Sequence, residues 1–327
     1  MIRLLFILPL LVLLSGCKTT PPNDVNGEAE YMKIYIKANI DSVLIYINNQ
    51  FTGKYTPDTV VVKTRVNLIK LEKDGYSVLN QSVNVTKGGS TTFSFQLVPS
   101  GLSKNVLMEN FSNVSCSPCV VTNAIIKNLQ LKYEAGKLVV IKVPTNFPSP
   151  FDLFYTANKP DANARMSLYS IQTAPTVILD GTLWGVPSDS NSIISRIETR
   201  LAETPKFSVS VKDSISGGIL FINVSVQNYD TTGLTFENLV LHTIVTEREI
   251  NFSTPPGSNG ETVFHNVMRK MLPSNTGSVI PLMVPGRKES FNFEIALASV
   301  WQSGQIKTVS FIQNKKTKEV LQSALSN

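Results

Sequence analysis

The chain has 327 residues, 42% of them apolar and 17% charged, with Lys and Arg exceeding Asp and Glu by six. This is ordinary globular material, long enough for two or three domains, and it excludes a chain disordered throughout. The positive excess forms no dense basic block and no basic-aromatic stripe, so it reads as a mixed, solvated surface and not as a nucleic-acid site.

At the start, Arg3 precedes an apolar run from Leu4 to Leu14, followed by Leu14-Ser15-Gly16-Cys17. That is a basic region, a short hydrophobic region and a small-residue cleavage site; the run is too short to span a bilayer. The pattern resembles the lipobox of bacterial lipoproteins. The resemblance implies that residues 1–16 are a signal peptide and that Cys17 becomes the lipidated first residue, palmitate among its acyl chains. Two or more such chains hold a protein stably on a membrane. Residues 17–30, polar and with two prolines, read as a tether. Lys18 stands where an inner-membrane retention aspartate would be. The expectation is therefore a lipid-anchored cell-envelope protein at the outer membrane, on either its periplasmic or its surface face.

Residues 31–98 alternate with period two in six runs, among them "YMKIYIKA", "VNLIKLEK" and "TTFSFQL", separated by turn signals at Asn48-Asn49, Asp74-Gly75 and Gly88-Gly89. They predict a small all-β module. Gly53, Thr56-Pro57 and Gly75-Tyr76 fall where the PEGA module has its turn and its "GY" signature. The segment resembles that module, which implies a small β-sandwich with a binding or spacer role and no chemistry of its own.

After a Pro-Ser-Gly link at 99–101 the pattern changes. "NVLMENF" predicts a strand, and the turn "CSPC" follows. Val121, Ala124, Ile125 and Leu129 then share helical spacing, and "KLVVIKVP" predicts a buried strand. A Pro-rich stretch at 145–159 leads to a helix over 162–169. "APTVILDGTLWGV" predicts a hairpin about Asp180-Gly181, and a final helix places Ile193, Ile194, Ile197 and Leu201 on one face.

Once Cys17 carries lipid, Cys116 and Cys119 have only each other, in an oxidising compartment. A metal site would need four ligands, and His242 and His265 lie far apart with no further cysteine, so neither a metal nor another cofactor is expected. A structural staple gains little from so short a loop. A redox pair has a physical reason, because a cysteine at a helix N-terminus has its thiolate favoured by free N–H groups and the helix dipole. Pro118 suits a first helical turn, where its missing N–H is not needed.

With Pro175 set just before a strand, a hairpin and a terminal helix, residues 103–203 resemble a thioredoxin-like domain. The resemblance implies that Cys116 attacks and Cys119 resolves. It also implies that Pro175 shapes the substrate groove, and that Ala174 and Pro175 offer backbone to an extended peptide. One departure stands out. The acid that such domains carry six positions before the first cysteine is Asn110 here, with Glu109 on the opposite face of the strand.

From residue 206 to 327 strand patterns return: "FSVSVK", "GILFINVSVQN", "LVLHTIVTERE", "VIPLMV", "ESFNFEIAL" and "KTVSFIQN" predict a separate antiparallel β-sandwich. Together with "VFHNVMRKMLPSNTG", which carries an HN-x-x-R motif, the part from Asn105 onward is similar to the outer membrane protein 28-related lipoproteins. Those couple a thioredoxin-like domain to a C-terminal β-sandwich, although here Val120 replaces a proline usual after the second cysteine. His265 and Arg269 would share one face if helical, as a contact between loop and sandwich.

The expected fold class is multidomain α+β: a small N-terminal β-sandwich, a central thioredoxin-like α/β domain and a C-terminal antiparallel β-sandwich. Two functions follow. One is a thiol-disulfide oxidoreductase or isomerase acting on envelope proteins, which needs a redox partner to recharge it. The other is a binding or adhesion lipoprotein with locked cysteines.

Overall fold

The computed structural model describes residues 30–133 and 136–326. The expected leader, Cys17 and nearly all of the expected tether lie outside them.

The first unit comprises β1 (Tyr31–Ala38), β2 (Leu44–Ile47), β3 (Gln50–Tyr55), β4 (Asp58–Lys63), β5 (Val66–Glu72), β6 (Leu79–Asn84) and β7 (Thr92–Phe95). They form two sheets, ordered β4-β1-β7 and β3-β2-β5-β6. Period-two alternation turns Ile34 and Ile36 of β1 and Ile69 and Leu71 of β5 into one core. Asn48 and Asn49, at φ 50° and 67°, turn β2 back into β3. Strand β3 was not legible in the sequence, because Phe51 and Tyr55 face solvent and no apolar alternation marks it.

The central segment comprises β8 (Val106–Ser112), α1 (Ser117–Lys132), β9 (Leu138–Pro144), α2 (Leu153–Ala157), α3 (Lys159–Tyr169), β10 (Thr176–Leu179), β11 (Leu183–Gly185) and α4 (Ser190–Leu201). Strands β8 and β9 run parallel, joined by α1, while β10 runs antiparallel to β8 and β11 antiparallel to β10. Alternate residues of β8 serve opposite faces. Val106 and Met108 meet α1 and α4, whereas Leu107 and Phe111 meet α3. Helix α4 begins at Asp189, whose carboxylate accepts from the Asn191 N–H at 2.9 Å. The inner face of α1 matches the expected one only in part: Leu129 is buried and Ile125 packs on the core, but Val121 and Ala124 are exposed, and Cys119, Thr122 and Ile126 complete the buried face.

The remaining strands are β12 (Phe207–Ser216), β13 (Ile219–Asn228), β14 (Leu239–Asn251), β15 (Val263–Leu272), β16 (Ser278–Val279), β17 (Lys288–Ala296), β18 (Ile306–Asn314) and β19 (Val320–Leu325). Only β12-β13-β17 form a sheet of their own. The others extend the central sheet, whose order is β11-β10-β8-β9-β15-β14-β18-β19, with β16 pairing beside β14. The expected separate C-terminal sandwich is thus corrected: one of its two sheets is shared with the central segment. The reason lies in β9, "LVVIKVP", buried at every residue; it cannot be an edge, and β15 covers it in parallel, in register at Val267 and Lys142.

Two further expectations change here. "VIPLMV" contributes only Val279, the second residue of the two-residue β16, and Pro281 has no N–H for a ladder. The HN-x-x-R segment is strand β15, not helix; Asn266, at φ 55°, interrupts its alternation.

Polar groups close the seam between the two segments. Asp180 Oδ2 pairs with Lys104 at 2.7 Å and Arg200 at 2.9 Å, and Arg200 also donates to the Val320 carbonyl at 3.0 Å. Gly181, at φ 74°, passes so near the Lys318 carbonyl that a Cβ would lie 1.9 Å from its oxygen, so only glycine fits. The chain is multidomain and β-rich, with four sheets among the described residues.

Candidate active site

Strand β8 ends at Ser112, and the chain turns through Asn113 to Ser115 before α1. Asn113 Oδ1 accepts from the Ser115 N–H at 2.9 Å, and its Nδ2 donates to the Thr145 and Ser149 carbonyls at 2.7 and 2.9 Å. Asp152, the cap of α2, accepts from the Val114 N–H at 2.7 Å. The Pro-rich stretch therefore braces the base of the turn.

Cys116 is the N-cap residue of α1, and Pro118 lies in the first turn. Cys116 and Cys119 form a disulfide with Cα atoms 5.3 Å apart. Cys116 thus stands at the helix N-terminus, the position that favours a thiolate once the bond is reduced. Ala174 and Pro175 are half-buried and joined by a cis peptide. Thr176 opposes Phe111, so Pro175 stands next to Ser112 at the same end of the sheet as the cysteine turn.

Burial is the unexpected feature. Cys116 is 2% exposed and Cys119 0%. The loop between β14 and β15, residues 252–262, lies over the turn. Gly257 packs on Val114 so tightly that a Cβ would fall 2.2 Å from the Val114 oxygen. The Ser258 N–H donates to Ser115 Oγ at 3.3 Å, the Asn259 N–H to the Val114 carbonyl at 3.3 Å, and Asn259 Nδ2 to the Cys116 carbonyl at 3.5 Å. These bonds are long, and long hydrogen bonds are weak. Sequence reasoning missed this cover; its sole local sign is the small-residue run "PPGSNG".

Beneath the turn the two neighbours on β8 go opposite ways. Glu109 faces α3, where it pairs with Arg165 at 2.7 Å and accepts from the Tyr169 hydroxyl at 2.7 Å. Asn110 faces α1 and donates to Asn123 Oδ1 at 3.0 Å, and Asn123 Nδ2 in turn reaches the Glu261 carboxylate at 2.8 and 3.0 Å. Of the histidines, His265 lies 3.7 Å from Glu249, and His242 is enclosed, its imidazole pushed down to about 3 by burial. Neither approaches a metal cluster: among the described residues no group of His, Cys, Asp and Glu is arranged to hold an ion. Among the same residues no helix is long and apolar enough to cross a membrane. Cys17 lies outside the described residues.

Residues 31–101 match the PEGA domain. No curated protein matches the chain. Among solved structures the chain is similar to HBP35 of Porphyromonas gingivalis, at 14% identity and a TM-score of 0.56, over 69% of this chain and 75% of that one. A protein from Agrobacterium tumefaciens is 11% identical at a TM-score of 0.46, over 69% and 95% of the two chains. A domain of the outer membrane lipoprotein Omp28 from Porphyromonas gingivalis is 14% identical at a TM-score of 0.25, over 38% and 88%. The first likeness concerns the fold alone, and the other two are weaker.

Proposed function

We propose that the chain is a lipid-anchored envelope protein whose central segment is a thioredoxin-like domain, and that the Cys116–Cys119 pair exchanges disulfides with envelope proteins. The observation that carries this reading is the disulfide at the N-cap of α1, with Cys119 one turn inside the helix. The strand order β11-β10-β8-β9, with parallel β8 and β9 and helices on both faces, supports the domain assignment. Anchoring rests on the lipobox-like sequence ending at Cys17.

In this reading the reduced Cys116 thiolate attacks one sulfur of a substrate disulfide. A mixed disulfide forms and the other substrate sulfur leaves as a thiolate, which takes up a proton. The Cys119 thiol loses its proton and attacks Cys116, releasing the second substrate thiol and restoring the internal disulfide. Substrate is reduced by two electrons and the pair is oxidised by two. A partner dithiol reverses that change. Pro175 and Ala174 border the groove in which an extended peptide would lie.

The near-complete enclosure of both sulfurs favours a second reading, a binding lipoprotein in which the disulfide is locked and the thioredoxin-like unit is a scaffold. Replacing Cys119 with Ala and isolating mixed disulfides from envelope extracts separates the two. Adducts through Cys116 are expected; a variant that forms none, together with a wild-type disulfide that dithiols fail to reduce, leaves the scaffold.

A further inference from the structure

A cavity of about 220 Å³ opens between α1 and the start of β15, and no cysteine lines it. Strand β15 is in register with β9 at Val267 and Lys142, and the cavity lies between α1 and the residues of β15 before that pair, with Val140 and Lys142 in its lining. Asn110 is the cross-strand neighbour of Lys142, so both side chains enter the floor from the same face of the sheet.

Two groups on that floor lack what burial normally demands. Lys142 is 7% exposed, yet among the described residues no carboxylate lies within ion-pair distance of its amine; its close partner is the ring of Phe264, 5.2 Å away. Asn110 is 2% exposed and its Oδ1 accepts no hydrogen bond. A buried unpaired cation and a buried unpartnered acceptor each cost free energy. Such groups are retained where something else completes them.

The wall defines what completes them. Lys127 adds a second positive charge at the cavity, and Glu261 adds one negative charge, held in place by amide N–H groups of Asn123 and Asn259. His265 is kept toward its neutral form by burial and by Lys127. Among the residues lining the cavity one positive charge is left over, with Asp152, outside the lining, also drawing on the Lys142 amine, and one acceptor, Asn110 Oδ1, waits for a donor. Val120, Ala124 and Val263 supply an apolar side.

We infer that this cavity binds a small monocarboxylate carrying a hydroxyl or amino group next to the carboxylate. The carboxylate sits against Lys142 and Lys127, and the donor reaches Asn110 Oδ1. This site is independent of the thiol reading, since neither sulfur takes part.

Equilibrium dialysis of the full chain in detergent against radiolabelled lactate, alanine and propionate tests it. Lactate or alanine binds at least about tenfold more tightly than propionate, the worth of one good hydrogen bond to a buried acceptor. Lys142→Met weakens the preferred ligand about tenfold or more, and Asn110→Ala removes the preference over propionate while leaving the thermal midpoint within a few degrees. Preference for lactate over alanine identifies a hydroxy acid, and the reverse an amino acid. The inference is overturned if none of the three probes binds, if propionate binds as well as the others, or if Lys142→Met binds like the wild type.

Discussion

Glu109 and Arg165 face each other through two parallel hydrogen bonds of 2.7 Å, Nε to Oε1 and Nη2 to Oε2, with both side chains almost wholly enclosed. Arg165 also donates through Nη1 to Gln313 at 2.9 Å, so one guanidinium joins β8, α3 and β18. The pair is a pin across the seam of the shared sheet. Removing one partner leaves a bare buried charge, which costs about 3–5 kcal/mol, whereas replacing both by apolar groups of similar volume is often neutral. Arg165→Met is therefore expected to lose about that much in urea unfolding, and Glu109→Leu with Arg165→Met to recover most of it. Equal losses in the single and double variants would show that the pair acts by shape alone.

The cover over the cysteine turn makes a kinetic prediction. The 252–262 loop is held by long hydrogen bonds and by the close seat of Gly257 on Val114. Gly257→Ala places a methyl group against backbone that cannot yield, so the loop lifts. A weakening of about 1–2 kcal/mol raises the open population about 5–30-fold. Reduction of the Cys116–Cys119 disulfide by dithiothreitol, followed by thiol alkylation and mass spectrometry, is expected to accelerate by that factor. Unchanged rates would mean that the loop does not limit access.

Much of this was legible locally. The alternation of β1 and β5, the hairpin at Asp180-Gly181 and a helix beginning at the cysteines follow from neighbours in the chain. The sharing of one sheet by two segments does not, because β15 meets β9 across more than a hundred residues and "VFHNVMRKML" shows no clean period. The chemistry around Asn110 was half visible. That Glu109 turns away followed from strand alternation, but the reach of Asn123 to Glu261, 138 residues on, has no sequence signal. The loop over the sulfurs was hidden for the same reason, since small residues announce a close approach without naming the partner.

Lys142 predicts an unusual dependence on alkaline pH. Burial pushes its amine down to about 8, against the pull of Glu261 and Asp152, while an unfolded lysine titrates near about 10.4. Below pH 8 both states are protonated and the full cost of the buried charge is present. Between about 8 and 10.4 the unfolded state binds the extra proton, so stability rises with pH. Lys142→Met is expected to stabilise the protein by the order of 3 kcal/mol at pH 7, a gain that shrinks through that window and vanishes above it. Denaturant midpoints of both proteins at pH 7, 9 and 10.5 check this; a gain that does not change with pH would locate its origin in packing.

At acid pH the group to watch is His242. It packs on the ring of Phe311 at 5.2 Å, with its Nδ1 unpartnered and Gly277 against it, and burial holds its imidazole down at about 3. An unfolded histidine titrates near about 6.5. Above that value both states are neutral and the native packing is fully available. As pH falls through 6.5 toward 3 the unfolded state takes up a proton that the folded state refuses, so stability is lost at about 1.4 kcal/mol per pH unit. His242→Leu removes this term whatever its effect on packing at neutral pH. Between pH 7 and pH 5 the wild type is expected to lose about 2 kcal/mol more than the variant, with the carboxylates contributing equally to both. Parallel pH profiles for the two proteins would mean that His242 protonates in place, and a histidine resonance titrating near 6.5 in the folded protein that belongs to His242 would say the same directly.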